Sequence, residues 1–365
     1  MKTINFNSNQ FSYLSKEVSD VMNEANLLLI NHKAKSFGID NKILAEIENA
    51  RNLVADSLKL KPQEVFFSNG NSNSDIEIIN NAILFLKVTY IYTSIFENSI
   101  KLEYLKSLQV AGRINLIFIE TTEFGEINLL ELKNMLSKTE SKSLLSLSHA
   151  NLYTGVLLPV KDISSICQAN NTYFHLDLSL TIGRYSIDLQ HLKPDFANFD
   201  SSFLNGPTSI GIQILKDKIE AENPVYHAIV NNFKTSENKN LAQIMGFHRA
   251  YSLTLENLDN NKLKITKLKQ YLIEKLNSKL NLKPFCSENK KQGLLNFIPL
   301  YIDKNIYGDY LIERLDLKGI FIQELIYPSD LESYNNHYFI GITLNEGVGE
   351  GDVDCFVEIM DGFKK

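Results

Sequence analysis

Two aspartates, Asp177 and Asp200, each close a short apolar run, residues 173–176 and 196–199. Runs of that length and composition read as buried strands. In open α/β sheets, ligands bind beyond the carboxyl ends of the strands, so an acid there either caps a loop or pairs with a buried cation. A second candidate is the turn Ser68-Asn69-Gly70-Asn71-Ser72-Asn73-Ser74. A glycine turn that opens a helix offers free N–H groups and a positive dipole end, a natural phosphate cradle to which Ser72 could add a hydroxyl. The simpler account is a turn with an Asn/Ser cap, which needs no ligand. A third is the stretch from Ser148 to Gly155, SHANLYTG. Asn151 there could donate to a ligand oxygen. His149 is an acid–base group or, more simply, a satisfied strand-end histidine. The cysteines Cys167, Cys286 and Cys355 are far apart, and no C-x-x-C spacing points to a metal or redox centre. Reduced thiols and a cytoplasmic location are expected.

The elements that would position these residues alternate along the chain. Helical spacing marks residues 15–31, 41–58, 75–86, 99–108, 129–136 and 160–170. Short strands are expected at 65–68, 88–93, 115–120, 144–148, 173–177, 196–199 and 210–215. Strands joined by crossover helices imply a mostly parallel central sheet flanked by helices, an α/β fold. From about residue 255 the pattern changes to a Lys-rich helix over 260–280, strands at 295–302, 319–324 and 338–344, and helices at 308–315 and 352–360. The expected division is a large α/β domain over 15–253 and a small α+β domain built from 1–14 and 254–365.

The chain has 365 residues, a net charge of -6 and 44% hydrophobic residues. No basic stripe invites nucleic acid, no apolar run nears the roughly 18 residues of a membrane span, and the N-terminus lacks the apolar region of a signal peptide.

Taken in order, these segments resemble class V pyridoxal-phosphate enzymes of the fold-type-I aminotransferase-like superfamily, above all the cysteine desulfurases. FFSNGNSNSD is similar to the family's F-T-S-G-A-T-E-S-N, and SLSHANLYTGVLLPV to its S-V-M-H-x-N-N-E-x-G-x-x-x-P-I. YFHLDLSLTIGRYSIDL followed by FLNGPTSIG is similar to the family's strand ending D-A-A-Q and its K-L-Y-G-P-K-G, and HYFIGITLNEGVGEGDVD to its closing I-R-x-S segment. The resemblance implies the fold, a dimer, and a cleft for pyridoxal phosphate in which Asp177 meets the pyridinium nitrogen, Asn151 lies near the ring oxygen, and Gly70, Asn71 and Ser72 cradle the phosphate.

The departures lie at the chemistry. The lysine that holds the cofactor covalently stands three residues before Gly-Pro; here that residue is Phe203. The histidine before it is Ser202, and the phosphate-binding serine is Asp200. The ring-stacking histidine is Asn98, the ring-oxygen glutamine is Leu180, and the carboxylate-gripping arginine is Gly341. No cysteine stands in the loop 321–335, where the nucleophile is expected. Each lost charge-assisted contact costs about 1.5–3 kcal/mol. The expectation is therefore a protein with no catalytic residue and no cofactor, acting as a scaffold, a regulatory subunit or a partner. It would be a homodimer or a heterodimer with an active paralogue, binding neither nucleic acid nor membrane. The alternatives are a repurposed small-molecule-binding protein, whose pocket would suit a neutral or cationic ligand, and an enzyme using noncovalent pyridoxal or pyridoxamine phosphate.

Overall fold

The structure, a computed structural model, describes residues 3–7, 14–31, 37–70, 73–216, 224–236, 240–285, 293–325 and 337–364. In chain order the elements begin with β1 (Ile4–Asn5), α1 (Lys16–Asn31), α2 (Phe37–Leu58), β2 (Val65–Ser68), α3 (Asn73–Leu84), β3 (Tyr90–Thr93) and α4 (Ser99–Val110). They continue with β4 (Asn115–Phe118), α5 (Leu129–Ser137), β5 (Ser143–Ser148), α6 (Val160–Ala169), β6 (Tyr173–Asp177), α7 (Leu189–Leu192) and β7 (Phe196–Asp200). After β7 come β8 (Gly211–Leu215), α8 (Pro224–Ser236), α9 (Leu241–Glu256), α10 (Leu258–Lys275), β9 (Phe297–Asp303), α11 (Lys304–Tyr307) and α12 (Leu311–Asp316). The last are β10 (Ile320–Phe321), β11 (Gln323–Glu324), β12 (His337–Thr343) and α13 (Glu350–Asp361).

The chain divides into two compact units. The larger comprises Ser12–His149 and Leu158–Glu256; the smaller comprises Met1–Phe11, Ala150–Leu157 and Asn257–Lys365. The segment Ala150–Leu157 thus belongs to the smaller unit.

The larger unit is built on a seven-stranded sheet of order β2-β8-β7-β6-β5-β3-β4. Strands β4, β3, β5, β6 and β7 are mutually parallel, and β8 runs antiparallel between β7 and β2. Both faces are covered, which explains the near-continuous apolar strands. On one face Phe67, Leu145, Leu147, Phe174, Leu176 and Phe199 pack with residues of α2, α5, α6 and α9. On the other, Phe66, Ile91, Leu144 and Phe196 pack with Ile78, Ile79 and Ala82 of α3, Leu105 of α4 and Ile229 of α8. Period-two alternation sends Phe174 and Leu176 into the first layer and leaves His175 between them on the second face.

The smaller unit has a three-stranded antiparallel sheet of order β11-β12-β9 and a two-stranded parallel pair, β1 with β10. Its core joins Ile4 and Phe6 to α10, α12 and α13.

Several expected elements have different limits. The strand expected at 319–324 breaks at Ile322, so β10 pairs with β1 and β11 with β12. The helix expected at 308–315 starts only at Leu311, because Gly308 and Tyr310 are left-handed, with φ of 76° and 64°. The long helix is α-helical to Lys275, ends in one π turn, Leu276–Leu280, and stops at Asn281 with φ 54°. Residues 216–255, to which no element was assigned, hold α8 and α9. Among the described residues no helix is long and apolar enough to cross a membrane, and no group of His, Cys, Asp and Glu could hold a metal ion.

Candidate functional site: the acid-lined end of the large sheet

The parallel strands of the larger unit end side by side. Register pairs Ser148 of β5 with Asp177 of β6, and Asp177 with Asn198 of β7. Asp200 is opposite Gly211, which is opposite Ser68 of β2. The aspartates singled out from the sequence therefore stand at one edge of one sheet, as strand polarity requires.

Each is held by a local turn. Asp177 Oδ1 accepts from the Ser179 backbone N–H (2.9 Å) and hydroxyl (2.6 Å). Asp200 Oδ1 accepts from the Ser202 backbone N–H (2.9 Å) and hydroxyl (2.7 Å), capping the 3-10 turn Ser201–Leu204. Phe203 is half-buried in that turn. Gly70, with φ 63°, presses its backbone on this acid: a Cβ there would lie 2.7 Å from Asp200 Oδ2 and 3.0 Å from the Ile210 carbonyl carbon. Asn71 and Ser72 lie outside the described residues, as do most residues of the loop 321–335.

Behind the two acids lies a buried charged cluster that strand-end reasoning missed. Lys101 of α4, 0% exposed, forms an ion pair of 2.6 Å with Glu97, 3% exposed. Glu97 also accepts from the Ser148 backbone N–H (2.9 Å) and hydroxyl (2.6 Å). His175 donates from Nε2 to Asn198 Oδ1 (2.7 Å) and accepts at Nδ1 from the Ser146 hydroxyl (2.9 Å), the neutral tautomer this network requires. Asp75 of α3 approaches the same Nε2 at 3.5 Å. The available signal was the i, i+4 acid–base pair of Glu97 and Lys101 at a helix start that directly follows a strand end.

Electrostatics follow from the burial. Desolvation, with Glu97 and Asp200 adding repulsion, raises the Asp75 carboxyl above its usual range, against the pull of Lys101. Burial and then Asp75 raise Asp177 to about 6, while Lys101 and the Ser179 hydrogen bonds act the other way. Burial and Lys101 push His175 down to about 4. Burial opposes a charge on Lys101, yet Glu97, Asp75 and Asp177 together hold its pKa above that of an ordinary lysine.

The other predicted positions have structural duties. Asn98 caps α4, its Oδ1 accepting from Ile100 N–H at 2.8 Å. Leu180 is buried. In the smaller unit, Asn151 Oδ1 accepts from the N–H groups of Tyr153 (2.8 Å) and Thr154 (3.0 Å), closing its own turn. Gly341 lies in β12 under the Phe297 ring, which would be 2.5 Å from a Cβ.

His149 is the satisfied strand-end histidine of the simpler account. Its Nδ1 bonds the Thr181 hydroxyl at 2.9 Å, and burial lowers its pKa to about 4. It folds neutral, so the stability it contributes is complete above its unfolded value of about 6.5 and is lost as pH falls towards about 4. His149→Gln is expected to make the fall in unfolding free energy between pH 7 and pH 5, measured by urea titration, shallower by on the order of 1 kcal/mol. Equal pH slopes in the two proteins would contradict this.

A doubly covered, mostly parallel sheet with acids gathered at its carboxyl end is the large domain of a fold-type-I aminotransferase-like protein. The family model described as aminotransferase class-V matches residues 12–323, and the chain belongs to that family. A cysteine desulfurase IscS of Clostridium botulinum is 25% identical over 290 residues, 78% of this chain and 72% of that protein. One from Buchnera aphidicola is 30% identical over 183 residues, 50% of this chain and 45% of that protein. Two solved structures share the fold over 99% of both chains: a NifS-like protein, TM-score 0.84 with 23% identity, and the NifS-like protein of Rickettsia africae, TM-score 0.82 with 21% identity.

Membership corrects one expectation. Class V proteins and the cysteine desulfurases are pyridoxal-phosphate proteins, which points to that group rather than to no cofactor. The residues fit it unevenly. Asp177 suits a protonated ring nitrogen. Asp200, packed on Gly70, sets a carboxylate where a phosphate needs donors, and Phe203 offers no amine. The fit therefore extends to the ring and not to covalent attachment, and no chemical step is derived through the group.

Proposed function

We propose that this chain is a desulfurase-like member of the class V family that has given up covalent catalysis and serves as a scaffold, regulatory or partner subunit in the cytoplasm. It would act as a homodimer or beside an active paralogue, with pyridoxal phosphate held noncovalently. The observation that carries this reading is Phe203 in the turn after β7. The lysine buried in the charged cluster, Lys101, cannot take over the missing role, because its ammonium is paired with Glu97 and held protonated. A second reading, a repurposed binding protein for neutral or cationic small molecules, draws support from the acids Glu97, Asp75 and Asp177, which act on the ammonium of Lys101, and from Asp200, which repels Asp75.

The test is borohydride reduction after incubation with pyridoxal phosphate, followed by peptide mass mapping, alongside a sulfide-release assay with cysteine. Neither a lysine adduct in the cleft nor sulfide above background is expected. A single dominant adduct, or cysteine-dependent sulfide, would overturn the reading.

A further inference from the structure

The larger unit carries a pocket at the amino end of its sheet, opposite the end where the acids gather. Its volume is about 450 Å³, and β3, β4 and the end of α5 bound it. Its origin is local. Alternation along β3 sends Tyr90 and Tyr92 to one face, and register sets Ile117 of β4 beside Tyr92. On that face α5 is short: its nine residues end at Ser137, two beyond Met135. The amino end of β3 is therefore bordered by the turn that leads to β5 and not by a further turn of helix.

The lining divides by polarity. Tyr92 is buried, and Tyr90, Ile117 and Met135 are half-buried, so rings and aliphatic chains form the floor. Lys138 and Glu140 are exposed and form the rim. The Tyr92 hydroxyl donates to Thr139 Oγ1, whose own proton goes to the Met135 carbonyl at 3.2 Å, so those two hydroxyls are already used. The Tyr90 hydroxyl, the Lys138 ammonium and the Glu140 carboxylate make no hydrogen bond or ion pair among the described residues. One unpaired cation and one unpaired anion, two residues apart above an apolar floor, favour a ligand that carries both charges next to an apolar group. A ligand with one charge would be attracted by one rim residue and repelled by the other. The volume equals that of about fifteen waters, which suits a molecule of about a dozen non-hydrogen atoms.

We propose that this pocket is an accessory binding site for a free α-amino acid with a large apolar side chain, its carboxylate met by Lys138 and its ammonium by Glu140. The side chain would lie against Tyr90, Tyr92, Ile117 and Met135, and the Tyr90 hydroxyl is available to the carboxylate as a second donor. The site is separate from the acid-lined end of the sheet, and the proposal is independent of both readings of that end.

The chain has no tryptophan, so L-tryptophan can serve as a probe whose indole emission is read without background from the protein. The experiment titrates the protein into a fixed trace of L-tryptophan, tryptophanamide or N-acetyltryptophan and follows fluorescence anisotropy. The zwitterion is expected to bind with a Kd below about 1 mM, at least about threefold more tightly than either compound with one charge blocked. No binding by 1 mM protein, or a preference below threefold, overturns the proposal. The variant Lys138→Met/Glu140→Gln changes two exposed side chains and leaves the core intact. It should lose that preference, and Tyr90→Ser should weaken all three compounds by at least about threefold. A preference that survives in the double variant would place the bound amino acid elsewhere on the molecule and overturn the proposal. So would a Tyr90→Ser protein of native stability that binds all three compounds unchanged.

Discussion

Replacing Phe203 by lysine and Asp200 by serine is expected to yield a protein in which borohydride traps pyridoxal phosphate on residue 203, with at least about tenfold more adduct than in the native chain. Position 203 is half-buried, in a turn that begins at the carboxyl end of β7 and so faces the edge where α/β sheets hold ligands. A lysine there trades a partly buried ring for a flexible stem with a charged tip, a change such positions accommodate by keeping the tip in water. The serine is needed because Asp200 repels a phosphate dianion and already repels Asp75. A serine hydroxyl can still accept from the Ser202 N–H, so the cap of the turn is partly kept. Peptide mapping after reduction is the measurement. An intact double variant without adduct at 203 would mean that this turn does not direct its third residue to the ligand.

Restoring the other lost group should fail. Gly341→Arg is expected to destabilise the smaller unit by about 3 kcal/mol or more, because overpacking a filled site displaces its neighbours. The Cβ alone would lie 2.5 Å from the edge of the Phe297 ring and 3.3 Å from Leu325. Phe297 is itself buried, facing Thr343 across β9 and β12, so it has little room to yield. Gly341→Ala separates the backbone-proximal clash from the charge and should cost about 1–3 kcal/mol. Phe297→Leu introduced beside Gly341→Ala should recover part of that loss, as a double-mutant cycle between touching groups requires. Urea unfolding of the variants checks this. A loss below about 0.5 kcal/mol for the arginine variant would show that the space over Gly341 is open. The expected result means that the packing at Gly341, against Phe297 and Leu325, leaves no room for a side chain.

The sequence pattern reveals strand ends well and side-chain neighbours poorly. Asp177 and Asp200 could be placed because each ends an apolar run and parallel strands share polarity. The ion pair of Lys101 with Glu97 left only its i, i+4 spacing as a signal, and such a pair ordinarily marks a solvated helix face. Only the packing of α4 against the sheet turns it inward. Asn151 looked like a ligand contact by position, but its carboxamide oxygen is used by the backbone to close a turn, just as that of Asn98, which stands in the place of the family's ring-stacking histidine, caps a helix. That competition is usual for asparagine and has no periodic signature. The split at Ile322 was hidden because both halves read as one extended run and only the choice of partner strand separates them.

The pairing of Ile4 with Ile320 has a consequence for the order in which the molecule is made. The smaller unit takes its first strand from the start of the chain and the rest from beyond Asn257, apart from the short Ala150–Leu157 segment. During synthesis, the larger unit can complete its sheet while the smaller one still lacks most of its core. The opening strand must stay unpaired until more than three hundred residues have emerged, and closing so distant a pair is a slow step. Assembly of this fold therefore ends where its sequence begins.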